Sequence, residues 1–342
     1  MFTVQDFTKI ENNSKIPKYQ QLVNSLIMDI DMGKLKAGER LPSINETSEE
    51  CLLSRDTVER AYTELHRIGV ITSVFRKGYF ISERDPSKSK TKVFFLVGEV
   101  TDSAKLFYNS FVNNTGKNVV SDLCTYNYKA ENFKDAINSN LGNYHYYVIM
   151  PHQIEENEET IKHLKKISGE KLLLIDKQYE SLSNSYSSIS YNPEEEMERV
   201  MSNCIKNFQK YQSIDLVLSS REYFHSEMIT GFRNFCEKND FDYQILDDMQ
   251  DENLEQGHAY LCMDDYDLVD IIKKVKMEKA DLGNEIGLVS FNDTCYNEVL
   301  ANGITVMTCN PIKIGKMAAD NVVYNKRGHF YMPMELILRK SL

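Results

Sequence analysis

The 342-residue chain contains no tryptophan, seven prolines and fifteen glycines. Its longest apolar runs, such as Val93–Val97 and Leu172–Ile175, are strand-sized. A bilayer span needs roughly 20 consecutive apolar residues, so a membrane protein is not expected. The opening Met1-Phe2-Thr3-Val4-Gln5-Asp6 has no basic segment followed by an apolar one, which predicts no secretory signal and a cytoplasmic location. Seven cysteines, an odd number without a Cys-x-x-Cys pair, predict free thiols rather than a zinc site or a disulfide framework. The seven histidines are widely separated and form no His-Glu-x-x-His pattern. There is also no Gly-x-Ser-x-Gly elbow, P-loop or Gly-x-Gly-x-x-Gly after a strand. Neither an enzyme nor a bound metal or cofactor is expected. Internal repeats and low-complexity tracts are absent too. With 42% hydrophobic and 27% charged residues, the chain can bury a core and is not a disordered protein.

What is present divides into two parts. Residues 1–85 hold 12 Lys/Arg against 13 Asp/Glu, a sum of −1, and the remaining 28 against 38 give −10. The total of −11 therefore hides a near-neutral first part, in which local placement must decide whether it meets nucleic acid. Arg84-Asp85-Pro86-Ser87-Lys88-Ser89-Lys90-Thr91-Lys92 is polar, lacks apolar residues and reads as a linker. The expected domains are thus 1–83, a linker at 84–92, and 93–342.

In the first part, Tyr19, Leu22, Val23, Leu26, Ile27 and Ile30 recur at spacings of three and four. They predict an amphipathic helix from Pro17 to Gly33. A second helix should follow Pro42-Ser43. A third should start at Ser54, with Val58, Ala61, Tyr62 and Leu65 inward and Ile68 also in the core. Val70–Val74 and Tyr79–Ile81 read as strands around a turn at Arg76-Lys77-Gly78. Three helices and a hairpin are the order of a winged helix-turn-helix. The N-terminal turn of the third helix combines the Arg55 guanidinium, the Thr57 hydroxyl and the positive end of a helix dipole, which suits phosphate and guanine contacts. Arg60, Lys77 and Tyr79 can add contacts beside it.

The second part alternates apolar strands with helical patterns. Lys92–Val97, Tyr146–Met150, Lys171–Ile175, Asp215–Leu218, Ala259–Met263 and Glu285–Phe291 are the strands. Glu194–Gln209, Ser226–Lys238 and Leu268–Glu278 are among the helices. This rhythm predicts an α/β fold with parallel sheets covered on both faces. The acidic runs Glu155–Glu159 and Glu194–Glu196 read as solvated first turns of helices.

Three blocks in order, Gly38-Glu39-Arg40-Leu41-Pro42-Ser43, Leu53-Ser54-Arg55-Asp56-Thr57-Val58-Glu59-Arg60-Ala61-Tyr62 and Gly69-Val70-Ile71 with Lys77-Gly78-Tyr79-Phe80-Ile81, resemble the GntR-family winged helix-turn-helix. The resemblance implies operator-DNA contacts from Arg55, Thr57 and Gly78, and Ser43, Asn45, Ser54, Arg60, Lys77 and Tyr79 complete the candidate set. Asn45 stands where the family often has arginine, Arg76 replaces the first glycine of the wing, and Glu59 sits where a basic residue is common. The larger part resembles the LacI-type effector domain. The resemblance rests on Leu174–Lys177, Gly231-Phe232 at a helix start, Met263-Asp264-Asp265, Ile286–Asp293, Ile304–Val306 leading to Gly315–Ala319, and a closing strand within Pro333–Ser341. It implies two periplasmic-binding-protein-like lobes with a ligand in the cleft, and homodimers on a near-palindromic operator.

A monosaccharide or derivative is the expected effector, with Asp102, Asp176, Arg221, Asp264, Asn292 and Cys309 as candidate contacts. Met228, Asn292 and Cys309 replace an arginine, an aspartate and a glutamine common in that family. The aminotransferase-like body of some GntR regulators would be longer than the 250 residues available and needs a Schiff-base lysine. The expectation is therefore a DNA-binding repressor of carbohydrate use. The alternative is a sugar sensor whose head binds protein instead of DNA.

Overall fold

A computed structural model describes residue 10 and residues 16–82, 90–182, 185–218 and 226–342. The head comprises α1 (Lys18–Asp31), α2 (Ile44–Glu50), α3 (Arg55–Arg67), β1 (Ile71–Val74) and β2 (Gly78–Ile81). β1 and β2 pair antiparallel, so the head is a winged helix-turn-helix. Pro17 opens α1, as its fixed φ and missing N–H allow. Ser43 opens α2 through a reciprocal capping box with Glu46. Ser54 opens α3 by accepting from the Thr57 N–H. Leu22, Val23, Leu26, Val58, Ala61, Tyr62, Leu65, Ile71 and Ile81 make one apolar core. Ile68 lies outside it, 36% exposed, because it caps the C-terminus of α3, where the helix has already left the packed face.

The body runs β3 (Thr91–Val97), α4 (Asp102–Thr115), β4 (Val119–Thr125), α5 (Ala130–Asn140), β5 (Tyr146–Ile149), α6 (Glu158–Leu164), β6 (Leu172–Asp176), β7 (Ser187–Ser190) and α7 (Pro193–Asn203). It continues through α8 (Ile205–Phe208), β8 (Ser213–Val217), α9 (Glu227–Lys238), β9 (Asp242–Leu246), β10 (His258–Cys262), α10 (Asp265–Glu278), β11 (Gly287–Phe291), β12 (Thr305–Thr308), α11 (Pro311–Tyr324), β13 (His329–Tyr331) and β14 (Glu335–Ile337). The chain divides into two compact units. One is Met1–Glu99, Val112–Ser188 and Ala318–Gly328; the other is Val100–Phe111, Ile189–Met317 and His329–Leu342.

In the first unit the strands stand in the order β7-β6-β5-β3-β4, with β6, β5, β3 and β4 parallel. The second holds β14-β12-β11-β10-β8-β9, parallel except for β14, which runs antiparallel to β12. Its parallel sheet therefore carries one reversed edge strand. Central strands such as β8 are buried at every position, as helices on both faces require.

Three expectations change in detail. The helical pattern at Glu194–Gln209 breaks at Cys204, whose φ of −115° leaves α7 and restarts as α8. Gly231 and Phe232 lie inside α9 rather than at its start. The acidic first turns of α6 and α7 form as expected, but Glu196 is not solvated. It is 2% exposed and accepts from Arg199 Nε (2.8 Å), Tyr331 Oη (2.7 Å) and the Met334 N–H (2.6 Å). Those partners supply the compensation a buried carboxylate needs.

Candidate functional site

The angle between α2 and α3 sets what the head can present. Tyr62, on α3, lies 1% exposed, its hydroxyl 2.8 Å from Thr47 Oγ1 on α2 and donating to the Pro42 carbonyl at 3.0 Å. Burial pushes its phenol up to about 12. The ring meets Tyr79 of the wing edge-on, with centroids 5.0 Å apart. Tyr62 thus ties α2, α3 and β2 together from inside the core. Tyr62→Phe leaves a buried hydroxyl at Thr47 without this partner, at a cost of about 1–2 kcal/mol. The expected result is a lower thermal midpoint for the head, partly restored in a Tyr62→Phe/Thr47→Val double variant.

On this frame Asn45, Ser54, Arg55, Arg60 and Lys77 are exposed, while Thr57, Gly78 and Tyr79 are half-buried. Ser43 and Ser54 both spend their side chains on caps, and Thr57 Oγ1 lies 2.7 Å from Ser54 Oγ. Arg60 stacks on Tyr19 of α1, its guanidinium carbon 3.8 Å from the ring centre. At the wing, Arg76 takes the left-handed φ of +61° at the place of the missing glycine. Gly78 follows at +100°, and a Cβ there would meet the Arg40 guanidinium at 3.4 Å, so the second glycine is required. Sequence reading did not single out Phe75, 83% exposed at the wing tip, with the Arg76 guanidinium 5.2 Å from its ring centre.

In the body the candidate side chains stand beyond the carboxyl ends of strands, where parallel sheets leave room for ligands. In the first unit Asp176 ends β6 with φ +69°. Its Oδ2 lies 2.6 Å from His152 Nε2, a partner that sequence spacing gave no reason to pair with it. In the second unit Asp102 opens α4, holding Lys105 at 2.8 Å and accepting from the Tyr296 hydroxyl at 3.1 Å. Tyr296 also reaches Asp265 Oδ2 at 3.0 Å. The bond from Lys105 holds Asp102 below the usual carboxylate range, whereas burial raises Asp265.

Of the two neighbouring aspartates, Asp264 is the structural one. It is 3% exposed and caps α10 by accepting the Tyr266 N–H at 2.6 Å. Asn292 follows β11 at φ +67°, donates its N–H to Met307 O (2.7 Å) and accepts on its carbonyl from Asn297 (3.2 Å). Beside it, Asp293 takes two bonds of 3.1 Å from Arg339. Cys309 and Met228 are buried, while Arg221 lies outside the described residues. Among the described residues no cluster of three His, Cys, Asp or Glu side chains could hold a metal, and no helix is long and apolar enough to cross a membrane.

Residues 18–81 match the family of bacterial regulatory proteins called gntR. The HTH-type transcriptional regulator Rv1152 of Mycobacterium tuberculosis is 30% identical over 84 residues, which are 25% of this chain and 69% of that protein. An uncharacterized HTH-type regulator of Escherichia coli, YjiR, is 39% identical over 67 residues, 20% of this chain and 14% of that one. The arabinose metabolism transcriptional repressor of Geobacillus stearothermophilus is 33% identical over 73 residues, 21% of this chain and 20% of its own length. The chain therefore spans only a small part of the last two.

Among solved structures, a LacI-family regulator from Silicibacter pomeroyi superposes with a TM-score of 0.60 at 13% identity, over 73% of this chain and 98% of that one. The Lac repressor bound to ONPG gives 0.57 at 15% identity, over 84% and 90%. These likenesses concern the fold. The chain belongs to the gntR family of bacterial regulatory proteins, with a LacI-type fold in place behind its DNA-binding head.

Proposed function

We propose that the protein is a cytoplasmic, homodimeric transcription repressor, without enzymatic activity, that releases or engages operator DNA in response to a monosaccharide or a close derivative. The observation that carries the DNA half is the first turn of α3, with Arg55 and Asp56 exposed and Thr57 half-buried, capped by Ser54 and held at a fixed angle by Tyr62. Helix N-termini favour phosphate, and a guanidinium there reaches a guanine edge. The sugar half is supported by paired acceptors and donors at strand ends, Asp176 with His152 and Tyr296 with Asp102 and Asp265. Such planar groups suit vicinal hydroxyls, since an unpaired buried hydroxyl is penalised. The arabinose relative points to the same class of ligand through its name, although its match covers the head.

Selection of bound sequences from a random DNA pool tests the first half, with enrichment of a two-fold-related site as the expected result. A thermal-shift series of pentoses, hexoses and their phosphates tests the second. A sugar at about 100 times its Kd adds about 2.7 kcal/mol, and a midpoint rise of roughly 5 °C is expected. Stabilisation by a purine or an amino acid alone would remove the sugar from this reading and leave the regulator.

The wing tip supports a further expectation. An exposed phenylalanine beside the cationic Arg76 and Lys77 fits the minor groove, where apolar side chains wedge against base steps. Phe75→Ala is expected to weaken binding of the selected DNA by roughly fivefold, as read by fluorescence anisotropy.

A further inference from the structure

Helix α1 buries more than its own domain requires. Leu22, Val23 and Leu26 face the head core, but Met28 and Asp29, each 3% exposed, are not part of it. The body part of the same unit meets them there. Lys171, in the turn before β6, places Nζ 3.7 Å from Met28 Sδ, and its charge, with that of Lys34, acts on Asp29. Lys34 bridges Asp29 (4.0 Å) and Glu170 (3.8 Å), and Arg327 donates to the Glu170 carbonyl. Asn24 donates to Asn143 at 2.5 Å. His145, just before β5, accepts the Lys92 N–H on Nδ1 at 2.9 Å, so its proton sits on Nε2, 3.5 Å from Asp31. Burial lifts Asp29 to about 6, and the charges of Lys171 and Lys34 pull the other way, favouring its carboxylate form.

The same two strands lead elsewhere. His145 and Lys171 precede β5 and β6, which pair in register (Tyr147 with Leu172, Ile149 with Leu174). At their other ends stand His152, just past β5, and Asp176, the last residue of β6, bonded to each other. Five residues of β6, about 16 Å at strand rise, separate the two places. The exposed turn of α3 takes no part in the seat.

We propose that this charged seat fixes the DNA-reading helix on the body and reports the state of the Asp176 end of β6 to it. The inference about reporting rests on the regulator reading above; the seat itself does not. A head on a bare tether would sample the body at an effective concentration that falls with about the −3/2 power of tether length. A seated head would not.

The test is disulfide formation in the full chain carrying Asn24→Cys and Asn143→Cys, under mild oxidant, with the linked peptide identified by mass spectrometry. Thr63→Cys with Asn143→Cys serves as control. Cross-linking about tenfold faster than the control is expected, with less than a twofold change after insertion of ~14 Gly/Ser residues between Ser82 and Lys90. No excess over the control, or a roughly fivefold fall with the tripled tether, overturns the seat. Lys171→Met should slow the reaction about tenfold by stranding the Asp29 carboxylate, and Asp29→Asn/Lys171→Met should bring it back within about threefold. Equal rates in both variants would instead reduce the pair to bystanders and overturn the charged seat. Asp176→Asn is expected to change the rate by at least ~threefold; an unchanged rate overturns the link along β6. If the wild type enriches no DNA sequence, the regulator reading fails while the cross-linking result stands by itself.

Discussion

Arg55→Ala is expected to cost about 2 kcal/mol of DNA affinity per head, roughly thirtyfold, and about a thousandfold for a dimer that loses both contacts. The side chain is exposed at the first turn of α3, so the folded head should melt at an unchanged temperature. Arg67, at the other end of the same helix, is already paired with Glu64 (2.6 Å), and Arg67→Ala should leave binding within about twofold. Anisotropy titrations at two salt concentrations separate the contributions. Loss of a base contact lowers affinity without changing the salt slope, whereas loss of a phosphate contact flattens the slope by about 1. Unchanged DNA binding together with loss of a protein partner would replace the DNA-reading head by a protein-binding one.

Gly231→Ala should destabilise the body strongly for so small a change. Helices α7 and α9 approach so closely there that a Cβ would lie 2.2 Å from the Glu194 carbonyl oxygen and 2.9 Å from Met197 Cβ. Alanine is intrinsically better in a helix by about 1 kcal/mol. A backbone carbonyl cannot swing aside, however, and overpacking costs up to about 3 kcal/mol or more. The steric effect prevails, and a loss of about 2 kcal/mol and roughly 6 °C in the thermal midpoint is expected. Gly315→Ala, facing the Phe107 carbonyl oxygen at 2.4 Å, should behave similarly. A raised midpoint in either variant would mean that the helices stand further apart than described.

These close approaches were not readable in the sequence, and the reason is general. Periodicity reports which side of an element is apolar, not how near its neighbour comes, so Gly231 could be noticed only as half of a Gly-Phe pair. The start of α3 at Ser54 and the inward stripe Val58, Ala61, Tyr62 and Leu65 were readable because each depends on residues a few positions away. Central strands β3, β5, β6, β8, β10 and β11 announced themselves by being apolar throughout. The edge strands β4 and β9 did not, because half of Val119–Thr125 and Asp242–Leu246 faces outward and breaks the run. Apolar spacing continued across Cys204, which concealed the end of α7.

At the candidate effector residues the sequence supplied single positions but no pairs. His152 and Asp176 are 24 residues apart, and Tyr296 and Asp102 are 194 apart. Only the strand ends that carry them bring such distant residues together. Asp265 rather than Asp264 meets Tyr296 because the first aspartate is consumed in starting α10.

Neither compact unit of the body is one continuous stretch: the chain passes from one to the other after Glu99, Phe111, Ser188, Met317 and Gly328. A ribosome therefore finishes the head early, since its core ends at Ile81, but cannot complete the first unit until Gly328 has emerged, nor the second until Leu342. For most of synthesis the nascent body must stay incompletely folded, with apolar strands that aggregation would otherwise claim.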